Sequence, residues 1–331
     1  MKITVVGCGA LGSFYGARLF KAGWNVNFLL RSDYEIVKQN GIYIESVEGD
    51  FHIKPPCAAS PNEIGISDLV LIGLKTTANR KYKEIIEPLA DKHTLILTLQ
   101  NGLGNEELLA EIFGDNNILG GHCFVCLNRS APGVIKHIAH GRIVIGEYNQ
   151  KPLERTYTIA SMFEKSQIQC DVVENLEKAH WEKLVWNIPF NGLGVAGMAG
   201  LEAVLTGKVV LDKIATKTLT TDILLSDEKW ENLLRELMNE VIAVAAAKGL
   251  NIDPTFEEEQ IERTKTMGAY KASTLLDFEL NRPLELESMF LMPLKEANTI
   301  GVSVPRLSAL CSVLVELDKI RSQKTNTKLI E

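Results

Sequence analysis

An α/β fold is what this sequence predicts: a doubly wound parallel sheet over residues 1–173, then an all-helical half over 174–331. Three observations carry that expectation. Short β-branched runs alternate with helical patterns through the first half, which is how parallel β-α-β units read in sequence. Near residue 173 the strand-like runs stop, and long stretches of helical period replace them. Where the first strand-like run gives way to the first helical one lies GCGALG, residues 7–12, a glycine pattern suited to a tight turn onto a helix.

The elements follow in order. ITVVG reads as the first strand and ALGSFYGARLFKAG as a helix closing at Gly23. VNFLL is a second strand, followed by a helix from about Asp33 to Gln39. DLVLIGLK and TLILTLQNG are continuously apolar, as strands covered on both faces are. VIKHIAH and RIVIG look like two further short strands, and IQCDVV like the last one. Helical patterns then occupy 175–196, 228–248, 255–269, 286–300 and 304–322. Residues 207–227 have the weakest periodicity and read as irregular, or as a short extra hairpin or helix. The polar residues from Arg321 onward are expected to fray.

Bulk properties narrow the function classes. At 331 residues the chain is long for one hydrophobic core, so two domains are the natural division. Apolar residues make up 46% and charged ones 23%, the balance of a globular protein. A net charge of −7 with no basic block argues against a nucleic-acid or membrane-surface partner. The opening MKITVVGCG lacks the uninterrupted apolar stretch of a signal peptide, and no window reaches a membrane span, so a cytoplasmic protein is expected. Scattered cysteines suit reduced thiols. Cys123 and Cys126 form a CxxC beside His122, but in a strand-like run without a second pair, so the reading is structural and no metal is expected.

Each fingerprint glycine has a physical task. Gly7 permits the turn, Gly9 lets backbone approach a pyrophosphate, and Gly12 allows close helix–strand packing. The N–H groups at the start of the helix and its dipole favour phosphate charge, so the run Gly7, Cys8, Gly9, Ala10, Leu11, Gly12 is a Rossmann-type dinucleotide site. At the end of the second strand, where an acidic residue would bind ribose hydroxyls, stand Arg31 and Ser32. A guanidinium can hold a 2′-phosphate in two bonds, which favours NADP(H) over NAD(H). Asp33 lies close enough to keep the ribose alternative open, and is also a fair N-cap. Lys75 and Asn101 fall at the carboxyl ends of later strands, where open α/β sheets bind ligands. Singly, Lys75 reads as a snorkelling strand end and Asn101 as a turn residue.

In the helical half, KLVWNIPFN places Lys183, Asn187 and Asn191 along one side of a helix that is otherwise apolar. By itself this is as consistent with a solvent-facing stripe as with a site. Pro189 lacks an N–H, so the helix is expected to kink there. Residues 270–289 hold Ser273, Arg282, Glu285 and Glu287; glutamates at a helix start have an adequate explanation in the macrodipole.

Taken in order, GCGALG, LLR, LK, QNG, GRIVIG, K-x3-N-x3-N, and a serine motif followed by R-x2-E span nearly the whole chain. This set resembles the ketopantoate reductase family, NADPH-dependent enzymes that reduce 2-dehydropantoate to pantoate in pantothenate and coenzyme A synthesis. The resemblance implies a Rossmann domain followed by a helical domain similar to that of 6-phosphogluconate dehydrogenase. It implies that Lys183 is the catalytic lysine and Glu285 its acidic partner. Asn187 and Asn191 would shape the substrate pocket, and Ser273 would meet the substrate carboxylate. Arg31 and Lys75 would hold the adenosine phosphate end, and Asn101 would sit near the nicotinamide ribose and the substrate. Lys183 would then stabilise the developing alkoxide and deliver its proton, given a pKa lowered toward the working pH.

The chain departs from the family pattern at Ala272-Ser273-Thr274, at Leu276-Asp277, from Leu284 to Leu291, and at Gly192 where proline is frequent. These departures touch the substrate side. A reductase of another 2-oxo acid or of an imine is therefore a second expectation, and an NADPH-binding sensor without turnover a third. A second copy of the chain, packed through the helical half, is the candidate macromolecular partner.

Overall fold

A computed structural model describes residues 1–328. The chain divides into two compact units, Met1–Ala179 and His180–Glu331. That division falls inside a helix, later than the strand–helix junction at which the sequence suggests a break.

The first unit is built on one ten-stranded sheet. In chain order the strands are β1 (Lys2–Val6), β2 (Asn25–Leu29), β3 (Ile42–Ser46), β4 (Phe51–Ile53), β5 (Cys57–Ala58), β6 (Leu69–Ile72), β7 (Leu95–Thr98), β8 (Ile118–Ala131), β9 (Val134–Glu147) and β10 (Cys170–Val172). Their spatial order is β4-β3-β9-β8-β7-β6-β1-β2-β5, with β10 pairing β9. Every neighbouring pair from β5 through β8 is parallel; only β8–β9 and β3–β4 are antiparallel. The helices are α1 (Ala10–Lys21), α2 (Tyr34–Asn40), α3 (Pro61–Ile64), α4 (Tyr82–Ile86), α5 (Asn105–Phe113) and α6 (Glu154–Lys165).

Alternation along the central strands shows why helices cover both faces. Leu69 and Leu71 of β6 join one buried cluster with Phe14 and Leu19 of α1 and Met162 and Phe163 of α6. Val70 and Ile72, pointing the other way, join Tyr82 and Ile86 of α4 and Leu109 of α5. The Rossmann-type doubly wound sheet expected from the sequence is therefore present.

Two strand assignments change. VIKHIAH and RIVIG are one strand, β9, because the break at His140–Gly141 is a bulge: Phe124 opposes Arg142, Val125 opposes His140, and Gly141 is passed over. His140 and Gly141 both have positive φ there. Strands β3, β4 and β5 are additions to the sequence reading; β4 and β5 end the strand order, and β3 pairs both β4 and β9. The CxxC lies on β8, and all six cysteines are free thiols.

Among the described residues eight helices follow: α7 (Leu176–Ala196), α8 (Leu201–Thr206), α9 (Thr221–Ser226), α10 (Glu228–Ala247), α11 (Phe256–Lys265), α12 (Ser273–Glu279), α13 (Met292–Ile300) and α14 (Pro305–Lys328). Between Gly207 and Asp227 lie only one turn of 3-10 helix, Leu211–Lys213, and α9, in keeping with the weak periodicity. Asp227 caps α10 by accepting N–H bonds from Lys229 and Trp230. Helix α7 continues through Pro189 without ending, and it is buried on all sides from Asn187 to Ala196. The tail expected to fray stays in α14 as far as Lys328; the remaining residues lie outside those described. The stretch read as one helix over 286–300 instead opens with a π-helical turn, Glu287–Leu291. Pro293 explains it: without an N–H it cannot pair with the carbonyl of Met289 four residues back.

Candidate active site

The glycine loop closes β1 and opens α1. Gly7 has φ +86°, and a Cβ on it would lie 2.3 Å from the backbone nitrogen of Leu74. A Cβ on Gly12 would come within 2.5 Å of the Gly7 carbonyl oxygen. Both glycines are therefore required by the fold. Gly9 is different: a Cβ there would meet nothing within 4 Å. The polypeptide has no packing need for glycine at that point, and open space is what a pyrophosphate would use. No side chain caps α1, so the first-turn N–H groups of Ala10, Leu11 and Gly12 have no intrahelical acceptor and are available to an anion. Cys8 contributes backbone rather than a reactive thiol. Burial, with the nearby Asp33 charge second, pushes its thiol far above the ordinary range. Two supports escaped the sequence reading. Ser13 Oγ donates to the Cys8 carbonyl at 3.0 Å, and Gly73 lies so close that a Cβ on it would meet Gly12 N at 2.9 Å.

Strands β7, β6, β1 and β2 are adjacent and parallel, so the segments after them emerge at one edge. That edge gathers Asn101 after β7, Lys75 after β6, the glycine loop after β1 and Arg31 after β2. Arg31 and Lys75 are exposed. Asp33 is not available to a ribose. It is 5% exposed, and its carboxylate takes Arg129 Nη1 at 2.8 Å, the Gly133 N–H at 3.1 Å and Ser32 Oγ at 2.8 Å. It occupies the N-cap position of α2 yet makes no side-chain cap bond. What remains for a ligand at the end of β2 is the guanidinium of Arg31.

In the second unit, Lys183 is half-buried, while Asn187 and Asn191 are 4% and 1% exposed. The solvent-stripe reading of this helix face therefore fails. Asn191 Oδ1 accepts the Ser273 hydroxyl at 3.2 Å and the Thr274 N–H at 2.9 Å, so it caps the start of α12 from a neighbouring helix. Its Nδ2 reaches Asn187 Oδ1 at 3.5 Å. Asn187 Nδ2 is buried and has no hydrogen-bond partner among the described residues. An orphaned buried donor costs about 1–3 kcal/mol, and an acceptor brought by a ligand would recover it.

Glu285 is buried whereas Glu287 is exposed, so a macrodipole explanation suits Glu287 but not Glu285. Ser288, also buried, lies in the π-helical turn that follows. Thr274 Oγ1 lies 3.8 Å from Met289 Sδ and ties α12 to that turn. Arg282 is exposed, 3.9 Å from the buried Asp277 carboxylate. Trp186 stacks on Phe190 at 5.0 Å and donates to Thr264 Oγ1 at 2.8 Å, giving the polar stripe of α7 an aromatic flank. The chain thus holds two chemically distinct sets: a sheet edge carrying uncapped helix N–H groups and the exposed cations Arg31 and Lys75, and a helix face presenting an ammonium beside an orphaned amide.

Comparison with known proteins places both sets in context. The family profile described as ketopantoate reductase PanE/ApbA matches residues 3–150, and its C-terminal counterpart matches 205–318. A 2-dehydropantoate 2-reductase of Nostoc sp. is 38% identical over 325 residues, covering 96% of this chain and 95% of that one. The crystal structure of a 2-dehydropantoate 2-reductase from Geobacter metallireducens superposes with a TM-score of 0.87 at 41% identity, over 96% of this chain and 99% of that one. A second, from Methylococcus capsulatus, gives 0.85 at 34% identity, over 97% and 98%. D-Mandelate dehydrogenase, solved with NADH and anilino(oxo)acetate, shares the fold at 20% identity with a TM-score of 0.85. With both halves of the family pattern present along the chain, and relatives of this identity over its whole length, the protein belongs to the ketopantoate reductase family.

Proposed function

We propose that this protein reduces 2-dehydropantoate to pantoate with NADPH, and that Lys183 is its catalytic group. The observation that carries the reading is the α7 face, where a half-buried ammonium stands one turn from a buried carboxamide N–H that lacks a partner. Ketone reduction needs such donors, because negative charge grows on the carbonyl oxygen as the carbon is reduced. Family membership and the relatives named 2-dehydropantoate 2-reductase support the substrate.

Bound NADPH supplies the hydride. The N–H groups at the start of α1 take its pyrophosphate, Arg31 its 2′-phosphate, Lys75 the adenosine phosphate end, and Asn101 the nicotinamide ribose. Lys183 stabilises the developing alkoxide and donates the proton that completes the alcohol. Asn187 donates its orphaned N–H to the substrate. Ser273, whose hydroxyl donates to Asn191 in the free protein, turns it to the substrate carboxylate, and Glu285 orients the lysine or accepts a substrate hydroxyl.

The test is NADPH oxidation with 2-dehydropantoate in wild type and in Lys183→Ala, with NADH as a control. The mutant should lose on the order of 10²–10⁴-fold in turnover. A fully active mutant removes the lysine from the mechanism. A wild type that binds NADPH but turns over only other 2-oxo acids or imines reassigns the substrate. A relative from Staphylococcus aureus is described as dimeric, and light scattering on this protein tests the corresponding homodimer.

A further inference from the structure

The carboxyl edge of the sheet carries a line of hydrogen-bonded carboxamides that the mechanism above does not use. Gln100, at the end of TLILTLQ, and Asn105, the first residue of α5, are 3% and 0% exposed. Asn79 lies between them in space, on the 3-10 turn Thr76–Lys81 that follows Lys75. Asn105 Nδ2 donates to the backbone carbonyls of Asn101 at 3.2 Å and Gly102 at 3.4 Å. Its Oδ1 accepts Asn79 Nδ2 at 2.8 Å. Asn79 Oδ1 accepts Gln100 Nε2 at 2.9 Å. Gln100 Oε1 accepts the hydroxyls of Thr98, at 2.8 Å, and Tyr82.

The two backbone carbonyls set the direction of this line, because a carbonyl can only accept. Asn105 must turn its N–H groups to them and its oxygen to Asn79. Asn79 must then offer its own N–H to Asn105 and its oxygen to Gln100, and so on to the buried hydroxyls. Every amide orientation is fixed by the next. The line ties the segment after β6, which carries Lys75, to the Asn101–Gly102 turn after β7.

We propose that Asn79, Gln100 and Asn105 are positioning residues for the Asn101 turn, holding it in the conformation that receives the nicotinamide end of the dinucleotide. This rests on the reading of Asn101 given above. Asn79→Asp tests it with one atom changed. Aspartate still accepts from Gln100 but cannot donate to Asn105, whose amide is then drawn round to the carboxylate and away from the Asn101 and Gly102 carbonyls. Asn79 is only half-buried, so the charge is tolerated, and Asn79→Leu repeats the cut without one.

Both variants should weaken NADPH binding on the order of 10-fold and lower kcat, the scale of one lost hydrogen bond in a positioned group. Adenosine 2′,5′-bisphosphate, which lacks the nicotinamide end, should bind each variant as it binds wild type. Asn101→Ala should impair NADPH binding by itself, and adding Asn79→Asp to it should cost little more. Unchanged NADPH binding and turnover in both Asn79 variants, with Asn101→Ala impaired, overturns the positioning role and leaves the assigned function intact. Equal weakening of NADPH and the bisphosphate also overturns it, since that marks general damage to the domain. A wild type that does not bind NADPH sinks the underlying reading instead.

Discussion

Gly9 ends the loop after β1, Gly12 lies in the first turn of α1, and the two differ in what an added methyl would meet. Gly9→Ala has open space and an ordinary negative φ of −75°, so thermal stability should hold while NADPH affinity falls on the order of 10-fold or more. Gly12→Ala drives a methyl against the Gly7 carbonyl and should lower the melting temperature whether or not cofactor is present. Melting curves with and without NADPH separate the two cases. Asn187 makes the opposite trade. Replacing it by leucine removes an unsatisfied buried donor but also takes the acceptor from Asn191 Nδ2, so stability should change by no more than about 1 kcal/mol while turnover of 2-dehydropantoate collapses. An active Asn187→Leu enzyme would show that the orphaned amide serves no substrate. The residue types of this site were legible in the sequence because lysine and two asparagines are costly in an apolar helix. Which amide hydrogen lacks a partner was not, since that depends on atoms brought by α12.

At the scale of elements, α7 and α12 depend on each other. The Asn191 carboxamide satisfies the Thr274 N–H at the start of α12, a site where Ala272 supplies no side-chain cap. Asn191→Ala should therefore cost about 0.5–2 kcal/mol in denaturant unfolding, the range for a lost N-cap, and should raise KM for the oxo acid by loosening the start of α12, which carries Ser273. Loss of stability with unchanged KM would confine Asn191 to a structural role. The sequence placed the boundaries of α1, α2, α7 and α10 to within two residues, because period and capping residues are local, but it delimited none of α3 to α6 or α8. It read residues 286–300 as one α-helix and missed the π-helical turn, although Pro293 carried the signal for it. It also cut β9 at His140–Gly141, because a bulge and a turn look alike until the partner strand shows that pairing resumes.

Over the whole molecule, the thiols report the state of both units. Burial pushes Cys170 in the first unit and Cys311 in the second up to about 12. At about pH 8 both should resist Ellman's reagent in the folded protein, with all six cysteines reacting once guanidinium unfolds the chain. Mass spectrometry of the labelled peptides checks this, and rapid modification of either thiol in the folded state would contradict its burial. No helix among the described residues is long and apolar enough to cross a membrane. Fold class, the position of the glycine loop and the identity of the polar groups on α7 were determined by the sequence alone. Each rests on local chemistry: alternation with period two, glycine where backbone must turn, and charge out of place on an apolar helix. Only tertiary structure decided what those groups face. It removed Asp33 from the ribose question by binding it to Arg129 and the Gly133 N–H, residues a hundred positions away in the chain. It separated Glu285 from Glu287 by burial, and joined Asn79, Gln100 and Asn105 into one directed line. Hydrogen-bond partners distant in sequence leave no periodic trace, so they become readable only once the chain has brought them together.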